Sequence, residues 1–323
     1  MAAIVTLTMN PALDIATSTE RIEPVHKLRC AVPRYDAGGG GINVARAVHA
    51  LGGEALAIFP AGGAAGEMIC HLLGEEGVAH HVIAISGFTR ESLAVEERSS
   101  GRQYRFILPG PMIGLDDQQR CLEALSGAAP AAEFIVASGS LPPGVAQDFY
   151  ARVAELAKRH GKRFVLDTSG VALEQAGRGI FLLKPSLREL AELTGRDIRD
   201  EAGEEKAARE VITQGRAEIV VVSLGARGAL VADRQGCGRV PSIPVEAKST
   251  VGAGDSMLAG IVLGLTRRLA LREAVRFGIA AGTAALLGSG TQLCRRDDVE
   301  RLYGGSAPTG AQTALPAGHF SGE

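Results

Sequence analysis

The sequence predicts an α/β fold: a mostly parallel sheet covered by helices on both faces, with a small β-sheet lid. Three observations carry this. Short β-branched runs at 4–7, 134–137, 164–166, 180–183 and 219–222 read as strands buried on both sides. Amphipathic runs lie between them, at 42–51, 149–160, 187–193, 204–213 and 271–286, and the alternation is the rhythm of βαβ units. Two segments break that rhythm, about 14–37 and 88–108. Alternating patterns such as Ser92-Leu93-Ala94-Val95-Glu96 and Gln103-Tyr104-Arg105-Phe106-Ile107 read there as exposed strands that form the lid. The last segment, 304–323, is mainly Gly, Pro, Ala, Ser and Thr with almost nothing apolar to pack, and reads as a disordered tail.

Composition narrows the function. The chain has 323 residues, 46% hydrophobic and 22% charged, which is enough to bury a large core. A formal net charge of −2 gives no electrostatic reason to bind nucleic acid or an anionic membrane, so small-molecule partners are expected. No apolar stretch is long enough to span a bilayer. The five cysteines (Cys30, Cys70, Cys121, Cys237, Cys294) show no C-x-x-C pair and no histidines at metal-ligand spacing, and read as reduced packing residues. With no signal-peptide pattern after Met1, a cytoplasmic location is expected.

The most informative motif is Gly252-Ala253-Gly254-Asp255, directly before the apolar helical run Met257, Leu258, Ile261, Val262 and Leu265. Glycines let the chain turn tightly and bare its N–H groups, and those donors, with the positive end of the helix dipole, suit an anion. A carboxylate beside such a pocket can accept a hydroxyl proton while the pocket steadies charge on a transferred phosphoryl group; the alternative is a plain glycine turn with a first-turn aspartate. A second glycine run, Gly38-Gly39-Gly40-Gly41-Ile42-Asn43, also precedes a helix. It is either a place where ligand meets backbone or a structural turn. It fits neither the dinucleotide fingerprint nor a Walker A loop.

Asp14 lies just past the first strand, where open parallel sheets gather ligands, and is either a holder of sugar hydroxyls or a turn aspartate. Arg90 and Arg105, in the lid, have the forked guanidinium that grips phosphate, though exposed strands often carry arginine. In Lys184-Pro185-Ser186-Leu187-Arg188-Glu189, a cation suits phosphates and a carboxylate suits hydrated magnesium; Ser186 to Glu189 also has the form of a capping box. The turn Ser223-Leu224-Gly225-Ala226-Arg227-Gly228 either faces a nucleotide or makes a tight connection.

Together these residues resemble the ribokinase-like carbohydrate kinases (the PfkB family) from the first strand to about Tyr303. Gly38 to Asn43 resembles the family's first signature and Ser249 to Ser256 its second. Thr6 to Asp14, Lys27-Leu28-Arg29, Gln103 to Phe106 and Ser138 to Gly144 resemble its sugar-phosphate members, the bacterial minor 6-phosphofructokinases above all. The resemblance implies one doubly wound kinase domain over 1–303 with the lid segments inserted. It implies ATP-dependent transfer to O1 of fructose 6-phosphate, with 1-phosphofructokinase or tagatose-6-phosphate kinase activity as the alternative and a non-catalytic sugar-phosphate sensor as a remote one. It assigns Asp255 as the base and Gly252, Ala253 and Gly254 as the anion hole. Asp14, Gly39 and Asn43 would hold the sugar, and Arg90, Arg105 and Ser138 its phosphate. Lys184, Ser223, Gly225 and Gly228 would lie on the ATP side, and Glu189 would organise Mg2+ through water. A homodimer paired through the lid is implied as well. The family's N-x-x-E element here begins with Ser186, whose shorter hydroxyl must reach through water. Backbone oxygens of Gly288-Ser289-Gly290-Thr291-Gln292 leave a K+ site open.

Overall fold

The computed structural model describes residues 2–288 and 290–305. Thirteen strands are found among them: β1 (Ile4–Leu7), β2 (Ala12–Thr19), β3 (Arg34–Gly38), β4 (Ala55–Ala61), β5 (His80–Ala84), β6 (Arg90–Glu97), β7 (Arg102–Ile107), β8 (Phe134–Ser138), β9 (Arg163–Asp167), β10 (Ile180–Leu183), β11 (Ala217–Ser223), β12 (Ala229–Ala232) and β13 (Cys237–Val240). Nine form one sheet in the order β13-β12-β11-β10-β9-β8-β1-β4-β5; four form a second in the order β3-β2-β6-β7. Pairing in the large sheet is parallel from β5 across to β11, and the closing pair β12 and β13 runs antiparallel.

The helices are α1 (Gly40–Ala50), α2 (Gly63–Glu75), α3 (Leu115–Ala128), α4 (Phe149–Arg159), α5 (Val171–Glu174), α6 (Leu187–Thr194), α7 (Glu201–Thr213), α8 (Ala253–Thr266), α9 (Leu271–Leu286) and α10 (Arg296–Gly305). They divide between the two faces of the large sheet. Strand side chains alternate to match: Phe134 and Val136 join one core with α1, α8 and α9, whereas Ile135 and Ala137 join the other with α3, α4 and α7. That period-two split is why the buried strands read as continuous apolar runs.

Each strand and helix named from the sequence has an observed counterpart within a few residues. The strands β4, β5, β12 and β13 were not singled out there. Ala55–Ala61 is alanine-rich with a proline and His80–Ala84 opens on two histidines, so neither presents a dense β-branched run. The second sheet is built from the segments expected as the lid, beginning slightly earlier, at Ala12. Its two halves interlock: β2 pairs with β3 antiparallel and with β6 parallel, so Asp14 faces Ser92 on one side and Asp36 on the other. Of the expected tail, Gly304 and Gly305 close α10, and 306–323 lie outside the described residues.

Helices α8 and α9 pack at glycine contact. A Cβ built on Gly278 would stand 2.6 Å from the Met257 carbonyl oxygen, and one on Gly260 would stand 2.8 Å from Gly278 Cα. Gly278→Ala should therefore lower stability by about 1–3 kcal/mol, the cost of overpacking a filled core. Thermal or denaturant unfolding checks this, and an unchanged midpoint would contradict it.

Candidate functional site

Both glycine runs end at the same cavity. The loop after β3 turns through Gly39 at φ +110°, where a Cβ would stand 2.7 Å from Thr8 Cγ2. A Cβ on Gly40 would meet the Ser138 carbonyl carbon at 2.7 Å, and one on Gly41 the Leu7 carbonyl oxygen at 2.6 Å. So the run is needed first for packing, because it lets α1 start against the ends of β1 and β8. Thr8, buried beside it, accepts from the Ile42 N–H at 2.7 Å and so satisfies one of the free donors at the α1 N-terminus.

The second run places Gly252 in the left-handed region (φ +72°) as the residue before α8. No side chain caps that helix, so its first-turn N–H groups remain for another acceptor. Asp255 sits in this turn, half-buried. Its Oδ2 accepts from Asn43 Nδ2 of α1 at 2.9 Å. The two glycine-led helices thus meet through one hydrogen bond.

Between them lies a cavity of about 320 Å³. Asp14, Gly39, Asn43, Arg90, Arg105, Ser138, Glu189, Gly252 and Asp255 all line it. Ala253 and Gly254 continue the α8 turn, and Lys184 Nζ comes within 3.6 Å of a Cβ placed on Gly254. Ser223, Gly225 and Gly228 are not among its lining residues. They belong to the end of β11 and the turn after it; β11 is next to β10, whose chain runs on into Lys184.

The cavity also takes in Asp167, Thr168 and Ser169, which reasoning from the sequence passed over. A signal was present, since Asp167 directly follows the run 164–166 and so ends a buried parallel strand. Asp167 Oδ2 pairs with Lys184 Nζ at 2.9 Å, and Lys184 is only 5% exposed. Glu189 keeps its capping box: its Oε2 accepts from the Ser186 N–H at 2.7 Å. The capping box is therefore formed, and the same carboxylate lines the cavity. In the loop offered for K+, the Gly290 carbonyl already accepts from Ser249 Oγ at 2.7 Å, and Ser289 lies outside the described residues.

Four carboxylates share the cavity, and for Asp14, Asp167 and Asp255 ionisation is disfavoured. Burial lifts the Asp255 carboxyl to about 6, and the Asp167 charge adds to this; the Asn43 hydrogen bond and Lys184 pull the other way. Burial likewise lifts Asp14 to about 6, against the pull of Arg90 and Arg105. Asp167 is raised by burial although Lys184 opposes it, and Lys184, held by Asp167, keeps its proton more tightly than a free lysine. The result is a site with two cations at the lid, one at the sheet, and between them Asp14 and Asp255, each poised to take up a proton near pH 6.

A model of the pfkB family of carbohydrate kinases matches residues 4–298. The chain is 54% identical over 300 residues to the ATP-dependent 6-phosphofructokinase isozyme 2 of Mycobacterium tuberculosis, covering 93% of this chain and 88% of that one. It is 45% identical over 309 residues to the isozyme 2 of Escherichia coli, covering 94% and 98%. Among solved structures, the Escherichia coli phosphofructokinase-2 in complex with potassium superposes with a TM-score of 0.90 at 45% identity, over 94% of this chain and 99% of that one. The same enzyme in complex with fructose 6-phosphate superposes with a TM-score of 0.88 at 43% identity, over 94% and 99%.

Lys184→Met should cost about 3 kcal/mol at pH 7, because it leaves Asp167 charged, mostly shielded from water and without its cation. Asp167 already has a raised pKa, and losing its cation raises it further. The deficit should therefore shrink as acid protonates Asp167, a trend that unfolding midpoints measured at descending pH would reveal. A deficit that stayed constant with pH would argue against the pairing.

Proposed function

The chain belongs to the pfkB family of carbohydrate kinases, and we propose that it is an ATP-dependent 6-phosphofructokinase that transfers the γ-phosphoryl group of ATP to O1 of fructose 6-phosphate. One observation supports this above the others: the half-buried Asp255, at the head of an uncapped helix, opens on the same cavity as Arg90 and Arg105. Such a cavity suits a substrate that carries an anion at one end and a hydroxyl at the other.

In this reading the lid arginines and Ser138 hold the 6-phosphate, and Asp14, Gly39 and Asn43 hold the sugar hydroxyls. O1 then points at Asp255. Asp255 takes the O1 proton as O1 bonds to the γ-phosphorus and the bond to ADP breaks, leaving fructose 1,6-bisphosphate. Charge on the moving group is met by the amides of Gly252, Ala253 and Gly254 and by Lys184. Asn43 aims the Asp255 carboxylate, and Lys184 itself is aimed by Asp167. The turn of Ser223, Gly225 and Gly228 is assigned to the nucleotide.

Among the described residues no group of three or more metal-binding side chains is found, whereas Glu189 and Asp167 both reach the cavity. That donor set fits a hydrated Mg2+ shared with nucleotide phosphates and not a protein cage. When bound, the ion would neutralise charge between the β- and γ-phosphates.

The domain is assigned as 1–303 with the lid inserted. A homodimer through the lid is supported by its exposed Tyr35, Phe106 and Ile107. A monomer mass in sedimentation would contradict it. All five cysteines are free, in keeping with a cytoplasmic location, and among the described residues no helix is long and apolar enough to cross a membrane.

Asp255→Asn keeps an acceptor for Asn43 and removes the base; kcat should fall at least about a hundredfold. Wild-type kcat/KM should decline below pH of about 6, where Asp255 gains its proton. The sign for stability is the reverse. Burial raises the folded carboxyl from 3.8 to about 6, so ionising it works against folding, an effect fully present above pH 6. Asp255→Asn should thus raise Tm at pH 8 and lose that advantage near pH 4. Near-normal turnover by the variant would remove Asp255 from its role. Comparing kcat/KM on fructose 6-phosphate, fructose 1-phosphate and tagatose 6-phosphate tests the substrate, and a preference for either of the last two would overturn that choice.

A further inference from the structure

Three polar side chains are buried together beside the cavity: Asp36 on β3, Arg46 on α1 and Thr291 in the loop after α9. Asp36 joins them. Its Oδ2 accepts from Thr291 Oγ1 and from Arg34 Nε at 2.8 Å, and its Oδ1 accepts from Arg46 Nη2 at 3.3 Å. Arg46 Nη1 donates to the Ala37 carbonyl and its Nε to Glu76 Oε2, each at 2.7 Å. Two guanidinium groups thus balance two carboxylates, and the reaction proposed above uses none of the four. The Thr291 hydroxyl adds no charge to that balance, so what it contributes is geometry.

The two ends of that contact lie on opposite sides of the reacting atoms. Asp36 sits in register with Asp14 across β2 and β3, and its strand leads into Gly39 and α1. Thr291 lies between Gly290, whose carbonyl is held by Ser249, and Leu293, whose Cδ2 is 2.6 Å from where a Cβ on Gly252 would stand. One hydroxyl therefore ties the strand behind the sugar pocket to the loop that backs the turn leading to Asp255. The two residues are 255 positions apart in sequence.

We propose that Asp36 is a positioning residue: through Thr291 it fixes the sugar-holding sheet against the loop behind Gly252 and Asp255, so that O1 and the phosphoryl group meet in reacting register. The inference rests on the roles given above to Asp14 and Asp255. Neither Asp36 nor Thr291 lines the cavity, so both act through their neighbours. Displacement of reacting groups by about 1 Å can cost about a hundredfold in rate, which is the sensitivity that such a tie would guard against.

Thr291→Val removes the hydroxyl and keeps the branched shape; Thr291→Ser keeps the hydroxyl. With fructose 6-phosphate and ATP, Thr291→Val should lower kcat about tenfold or more while each KM moves less than about threefold, and Thr291→Ser should stay within about threefold of wild type. Asp36→Ala, which removes the acceptor, should show the same split between kcat and KM. The double variant Asp36→Ala/Thr291→Val should be no slower than the worse single one, because both break the same contact. Unchanged kcat in Thr291→Val with only a lowered Tm would reduce the contact to a structural one and overturn the proposal, as would losses that multiply in the double variant. If Thr291→Val does not fold, Thr291→Ala decides, and normal kcat there overturns the proposal. Wild type is measured in the same assay: no turnover of fructose 6-phosphate would defeat the assigned reaction itself, an outcome distinct from loss of coupling, and the proposal would fall with it.

Discussion

The hydrogen bond from Asn43 to Asp255 spans 212 residues and is the contact on which the site depends. It joins two helices that each begin at a glycine turn, one after the small sheet and one near the end of the chain. Each helix is fixed by packing and not by the bond itself: α1 by close approach to β1 and β8, α8 by glycine contact with α9. The bond then sets where the carboxylate points. Without both scaffolds, a half-buried aspartate near Asp167 would turn towards water, since its neighbours and its burial both resist its charge.

That resistance is also what makes the carboxylate useful. An aspartate at its ordinary value of 3.8 is a weak base, whereas one held near 6 accepts a proton more readily while staying ionised at neutral pH. The cations are distributed to match. Arg90 and Arg105 face Asp14 from the lid, and Lys184 answers Asp167 from the sheet, leaving Asp255 with the least direct compensation. Stability is given up at the residue to which chemistry is assigned, and the tightly packed cores on both faces of the large sheet offset the loss.

Much of this was legible in the chain. The five buried parallel strands announced themselves because both their faces are covered, and the glycine runs because few other residues tolerate such turns. Asp14, Asn43, Arg90, Arg105, Ser138, Glu189 and Asp255 all reach one cavity, although 241 residues separate Asp14 from Asp255. Other features had no local signature. Strand β4 lacks β-branched density, and the place of Asp167 at a strand end gave no sign that Lys184 would pair with it from the next strand. The tie between Asp36 and Thr291 is not a motif at all; it exists only once β3 and the loop after α9 are folded together. Local reading also could not separate the two roles of Glu189, because the capping box and the cavity wall are the same carboxylate seen from two sides.

The central claim is that the Asp255 carboxylate meets the sugar alcohol in front of amides that receive the phosphoryl group. A crystal structure of the chain with fructose 6-phosphate and a non-hydrolysable ATP analogue tests it most directly. The account predicts an Asp255 oxygen within about 3.2 Å of O1, with the γ-phosphate in line beyond it and against the first turn of α8. A closed complex in which that carboxylate faces away from O1, or in which the sugar offers a different hydroxyl to the nucleotide, would contradict it.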